Sequence, residues 1–137
     1  MGAEPFLLAS SMTAVVAQRV IRKIDVNSKE AYSPDPKVVE DMKNVLGPLW
    51  NASEPVTIYK GKPTADNNNS GYLGRIGIFE VMPISEKIGK LILERSASTA
   101  IEHQAKEDGM VTLKQDGYMK VVEGISSIEE VLRVAQE

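Results

Sequence analysis

The sequence predicts an α+β fold, mostly α-helical with one small β ribbon. Apolar residues recur at three- and four-residue intervals in several segments, the mark of helices with one buried face. One segment, GYLGRIGIFEVMPIS from Gly71 to Ser85, instead reads as a strand interrupted by glycines and ended by Pro83. Clusters of Gly, Pro, Asn and Asp punctuate the rest.

Taken in order, Glu4 to Ile24 reads as one long helix. Leu8, Met12, Val16 and Val20 form its apolar stripe, Ala9, Thr13 and Ala17 a second, small-residue face, and Pro5 suits the first turn. Asp25 to Pro36 is polar and rich in turn formers, a linker. Lys37 to Leu49 reads as a second helix with Val38, Val39, Met42, Val45, Leu46 and Leu49 inward, ended or frustrated in its last turn by Gly47-Pro48. Val56 to Tyr59 fits a short strand, and Gly61 to Ser70 a loop. The Gly71 to Met82 strand precedes four short helices. The first covers Ser85 to Arg95. The second, Ser98 to Asp108, is capped by Ser98 and ended by Gly109. The third, Thr112 to Glu123, is weakened in its middle by Gly117. The last opens on a capping box, Ser126 with Glu129 or Ser127 with Glu130.

With 137 residues, 42% hydrophobic and 26% charged, the chain has the content of one ordinary globular domain, or one domain plus a displaced helix. A net charge of −3 gives no electrostatic reason to expect nucleic acid. No apolar run approaches the ~20 residues of a membrane-spanning helix, so no direct membrane insertion is expected. The start lacks a basic region before an apolar core and is not read as a signal peptide. Zero cysteines exclude a disulfide framework.

The chemistry-bearing residues are few. Phosphate cradles follow G-x-x-x-x-G-K-[ST], and here Gly61-Lys62 runs into Pro63, which has no N–H to donate. His103, flanked by Glu102 and Gln104 with Glu107 one turn away, reads as an ordinary helix-surface residue. Arg19 and Arg22 read either as helix-end cations complementing the macrodipole or as charges presented to a neighbouring subunit or nucleotide. Arg75, between Gly74 and Gly77, reads either as a pin for the adjacent loop or as a fork onto a carboxylate or backbone carbonyls. Glu80 is the nearest carboxylate, and a bulge at Gly77 would bring the two onto one face. Asp116 before Gly117 reads as turn or cap chemistry.

Gly71 to Ile84 resembles the GY-x-GR-x-GIFE-x-x-x-I motif of the hexameric traffic ATPases that drive type IV pilus assembly and type II secretion. Three further segments agree in order and spacing. Met1 to Ile24 is similar to the helix after that family's catalytic core. Gly109 to Gly117 is similar to its GM-x-TL-x-QDG element, and Ser126 to Val134 to its closing helix. Together they cover most of the chain apart from about Ala31 to Val56.

The resemblance implies the C-terminal portion of a RecA-like secretion ATPase, without its nucleotide-binding core. Residues 1–24 would continue from the missing core, and 25–137 would form a C-terminal helical subdomain. On this reading the chain is a fragment cut from a longer protein, with Met1 matching the family's own residue. The parent would be a cytoplasmic homo-hexamer, peripheral to the inner membrane through a platform protein, using ATP and magnesium bound upstream to assemble pilin-like subunits. This portion would contribute intersubunit contacts and transmit motion. Arg19, Arg22, Gly71, Tyr72, Gly74, Arg75, Gly77, Glu80 and Asp116 are its interface or structural candidates, with no catalytic residue and no cofactor of its own. The alternative is a non-catalytic helical protein-interaction domain that keeps this fold elsewhere.

One departure accompanies the match. Many family members carry two Cys-x-x-Cys pairs spaced for tetrahedral zinc. The first pair falls on Asp25 and Ser28, the second on Thr64 and Asn67, within a degenerate zinc-loop region, 25–71. The resemblance therefore implies a lost metal site, with the loop Gly61 to Ser70 mobile or held by hydrogen bonds.

Overall fold

The structure, a computed structural model, describes residues 14–135. The described residues fall into two compact units, one of residues 18–78 with 113–135, the other of residues 14–17 with 79–112. The α+β class holds, and the strands form two two-stranded sheets. β1 (Ala14–Ile24) pairs with β4 (Tyr72–Pro83), and β2 (Lys29–Tyr32) pairs with β3 (Ile58–Gly61).

β1 corrects the expected helix. Residues 14–24 are extended, and the part of the expected helix from Glu4 to Thr13 lies outside the described residues. A spacing of four is a multiple of the strand period of two, so Val16 and Val20 share a face in either conformation. Val15, Val16, Val20, Ile21 and Ile24 are β-branched, which favours the strand. The expected linker also holds a strand, β2, antiparallel to β3 with Lys29 opposite Gly61 and Tyr32 opposite Ile58. Two diagonal cation–π contacts strengthen that pair, Lys29 over Tyr59 at 4.3 Å and Lys60 over Tyr32 at 5.4 Å.

The larger unit builds its core from Ile21, Ile24, Met42, Leu46, Ile58, Ile78, Tyr118, Val121 and Val131, all buried. Here α1 (Pro36–Leu46) packs on α4 (Leu113–Val122), and α4 packs on α5 (Ile128–Val134) and β3. Asp35 caps α1 by accepting from the Lys37 N–H at 2.8 Å. Gln115 Nε2 donates to the Val45 carbonyl at 2.9 Å, and the Tyr118 hydroxyl donates to Asp41. Gly117, unfavourable in a helix by propensity, has a packing reason: a Cβ there would stand 2.5 Å from Cγ1 of Val131. Only glycine lets α5 approach α4 this closely.

In the smaller unit α2 (Glu86–Leu93) packs on α3 (Ser98–Glu107), with Ile88 and Ala105 buried. Ser85 caps α2 through the Ile88 N–H and donates to Asp108 Oδ2 at 2.8 Å. The cap position of α3 is Ala97, without a side-chain bond, and the expected cap Ser98 is its first helical residue. Among the described residues no helix is long and apolar enough to cross a membrane.

Candidate functional site

Two polar clusters in the larger unit gather most of the residues singled out from the sequence. The first is centred on Glu130, whose side chain is 1% exposed. Ser127 caps α5 by accepting from the Glu130 N–H at 3.1 Å, which fixes the start of the helix. The Glu130 carboxylate then accepts from three groups of Arg22: the backbone N–H at 2.7 Å, Nε at 3.1 Å and Nη2 at 3.0 Å. Arg133, one turn along α5, adds Nε at 3.0 Å and Nη2 at 2.8 Å. Burial pushes this carboxyl up, but the bonds from Arg133 and Arg22 outweigh it and hold the pKa at about 2. Both guanidinium pKa values are raised in return, chiefly by their bonds to Glu130.

Tyr72 completes this cluster. Its ring lies 4.3 Å from the Arg22 guanidinium carbon, and its hydroxyl is hydrogen-bonded to Ser127. Ser126 Oγ donates to the Arg22 carbonyl at 2.7 Å, and the Ile24 N–H donates to the Ile125 carbonyl at 2.9 Å. Arg22 thus sits on a strand clamped to the closing helix, which corrects its reading as a helix-end cation. The capping-box spacing pointed to Glu130, yet its carboxylate is taken by Arg22 and Arg133. Its strand partner lies 108 residues away, where no local pattern could find it.

The second cluster joins Asp25, Ser28, Thr64 and Asn67, the four positions that the resemblance sets against Cys-x-x-Cys pairs. Asn67, 3% exposed, sits at its centre. Its Nδ2 faces three acceptors, Asp25 Oδ2 at 2.9 Å, Ser28 Oγ at 3.2 Å and the Lys62 carbonyl at 3.0 Å. Its Oδ1 accepts from the Thr64 N–H at 2.8 Å and the Gly71 N–H at 3.1 Å. Asp25, itself buried, also accepts from the Asn27 N–H at 3.0 Å. The Asn67 bond, then the Asn27 bond, hold the Asp25 carboxyl below its usual range. The Gly61 to Ser70 loop closes where two backbones touch: a Cβ on Gly61 would meet the Gly71 carbonyl oxygen at 1.7 Å. This donor set does not fit zinc. The group aimed at Asp25 and Ser28 is an amide NH₂, which presents hydrogens and no lone pair, and Thr64 enters through its backbone N–H. Among the described residues no group of three or more His, Cys, Asp or Glu could hold a metal ion.

The other candidates stand apart. Arg19 is exposed and donates to the adjacent Gln18 carbonyl at 2.9 Å. Within β4, Gly74 takes a positive φ of 87°. Arg75 is exposed and Glu80 half-buried on β4. Asp116 lies in the first turn of α4, 3.5 Å from Lys120. His103 is an exposed helix residue 3.6 Å from Glu107.

Residues 1–133, which include both clusters, match the family model described as Type II/IV secretion system protein. The chain belongs to this family. Members similar to it include the type II secretion system protein E of Pseudomonas aeruginosa, 36% identical over 137 residues, covering 100% of this chain and 26% of the relative. The protein of the same name from Xanthomonas campestris pv. campestris is 32% identical over 139 residues, covering 100% of this chain and 24% of its own length. The type IV pilus assembly ATPase PilB of Thermus thermophilus is 32% identical over 132 residues, covering 96% and 14% respectively. The chain spans about a quarter of the length of the first two relatives.

Proposed function

We propose that this chain is the C-terminal portion of a type II secretion or type IV pilus assembly ATPase. It lies outside the nucleotide-binding core and contributes intersubunit contacts and motion transmission in a hexameric motor. The observation that carries the reading is the alignment of nearly the whole chain with proteins named as type II secretion protein E and as the pilus assembly ATPase. The lack of any phosphate-cradling motif in the sequence supports assigning ATP and magnesium to the rest of the parent. The parent acts in the cytoplasm, peripheral to the inner membrane through a platform protein.

Arg19 and Arg75 are the side chains to carry an intersubunit contact. Both are exposed cations on the β1–β4 sheet, outside the Glu130 clamp. The test is ATP hydrolysis and oligomer mass of the longer parent carrying Arg19→Ala and Arg75→Ala. The expected result is at least about tenfold slower hydrolysis, the loss of roughly 1.4 kcal/mol, with a smaller assembled fraction. The melting temperature of the isolated chain should be unchanged. Full hydrolysis and full assembly in the double variant would overturn the interface role.

A further inference from the structure

We infer that the side-chain amide of Asn67 is the hub joining the Asp25–Ser28 turn to the Gly61–Gly71 loop, in place of a metal ion, so that this region folds without metal. The hub stands on the geometry alone. Its standing in for a metal ion is inferred also from the resemblance to the tetracysteine members of the family.

A structural zinc joins distant turns because one positive centre gathers lone pairs that have no other reason to meet. The same kind of gathering occurs here around an amide nitrogen. Its two hydrogens serve a carboxylate, a hydroxyl and a carbonyl, contributed by Asp25, Ser28 and Lys62. The opposite end of the group binds the Thr64 and Gly71 N–H groups, so one side chain makes contacts that a metal would divide among four ligands. Asn67 and Asp25 are 3% and 2% exposed, which shields these bonds from competing water. The turn and the loop are further tied by two backbone bonds, Lys62 N–H to the Ser28 carbonyl and Asp25 N–H to the Gly71 carbonyl, each 3.0 Å. Closure of the loop at the Gly61–Gly71 contact leaves the amide enclosed.

Asparagine suits this role where aspartate does not. Asn67→Asp keeps the shape and the Oδ1 bonds, but places an oxygen against Asp25. Its melting temperature should fall by about 10 °C, the scale expected when several buried hydrogen bonds fail together in a chain of this size. Adding Asp25→Asn to that variant restores a donor–acceptor pair in the reverse sense and should recover part of the loss. The unmodified chain should retain no zinc after dialysis, and its melt should be the same with and without a chelator.

A melt that falls on chelation, zinc retained at one per chain, or Asn67→Asp melting like the unmodified protein would each overturn the hub. If the variant does not fold, hydrogen exchange on the unmodified chain decides. Slow exchange of the Thr64 and Gly71 amides supports the hub, and exchange at the rate of an open loop overturns it. The fourfold replacement D25C, S28C, T64C and N67C tests the relation to a metal site separately, with cobalt as the probe. Tetrahedral thiolate absorption at one cobalt per chain supports that relation. No binding by the folded variant overturns it and leaves the hub intact.

Discussion

A carboxylate that is almost wholly buried and still charged must find its compensation close at hand. Glu130 does so through five N–H contacts from Arg22 and Arg133. Its folded pKa of about 2 lies below its ordinary 4.5, so the clamp contributes fully above about pH 4.5. That contribution is lost as pH falls through about 2. Glu130→Gln should therefore cost on the order of 3 kcal/mol at neutral pH, because two guanidiniums lose their shared counter-ion. The gap between variant and parent chain should narrow between about pH 4.5 and about 2, measured by denaturant unfolding at each pH. A gap that stays constant across that window would remove the charge from the explanation. Tyr118 carries no such pH signal at neutrality, since burial and the bond to Asp41 push its hydroxyl upward and keep it protonated.

Among the secondary elements, the α4–α5 contact depends on one missing side chain. Gly117→Ala should raise helix propensity by roughly 1 kcal/mol. It would also drive a methyl into Val131, and overpacking of that kind costs about 1–3 kcal/mol. The expected net effect is a lower denaturant midpoint, reversed by adding Val131→Ala; a raised midpoint in Gly117→Ala alone would contradict the packing account. The same elements mark what local sequence can and cannot reveal. The Gly71 to Met82 strand and the helices around Ile88, Ala105 and Val131 were legible because glycines, caps and apolar spacing agreed. The segment 14–24 was misread because Val16 and Val20 satisfy both periods, and the pairing with β4 that decides between them is non-local. β2 escaped notice because Lys29 to Tyr32 is short and polar. The interface candidates Arg22 and Tyr72 were visible as residues, but their meeting with Glu130 and Ser127 required the fold. The four turn positions came from the family resemblance, and the central role of Asn67 only from the distances around it.

For the whole molecule, nucleotide chemistry is the first property to test on the chain by itself. The isolated chain should show no magnesium-dependent phosphate release from ATP. Its Gly61-Lys62 pair is the nearest echo of a phosphate loop, but the Lys62 N–H is bonded to Ser28 and its carbonyl to Asn67. The Lys62 N–H is therefore already engaged and not turned toward a phosphate. A coupled phosphate-release assay on the purified chain checks this, and turnover that follows the chain through successive purification steps would overturn it.

The bonds from residues 125–130 to β1 carry one more consequence, concerning solubility. A two-stranded sheet has an outer edge on each strand, and a bare edge invites pairing with another molecule. At Arg22 and Ile24 that edge of β1 is sealed, because Ser126, Glu130 and Ile125 take up the backbone groups. The closing helix therefore acts as a guard as well as a brace. If it peels away during heating, it uncovers free backbone beside Val20, which is already 48% exposed. Loss of the helix would then turn a reversible opening into an adhesive one, and the chain's tolerance of heat would be set by how fast that guard returns.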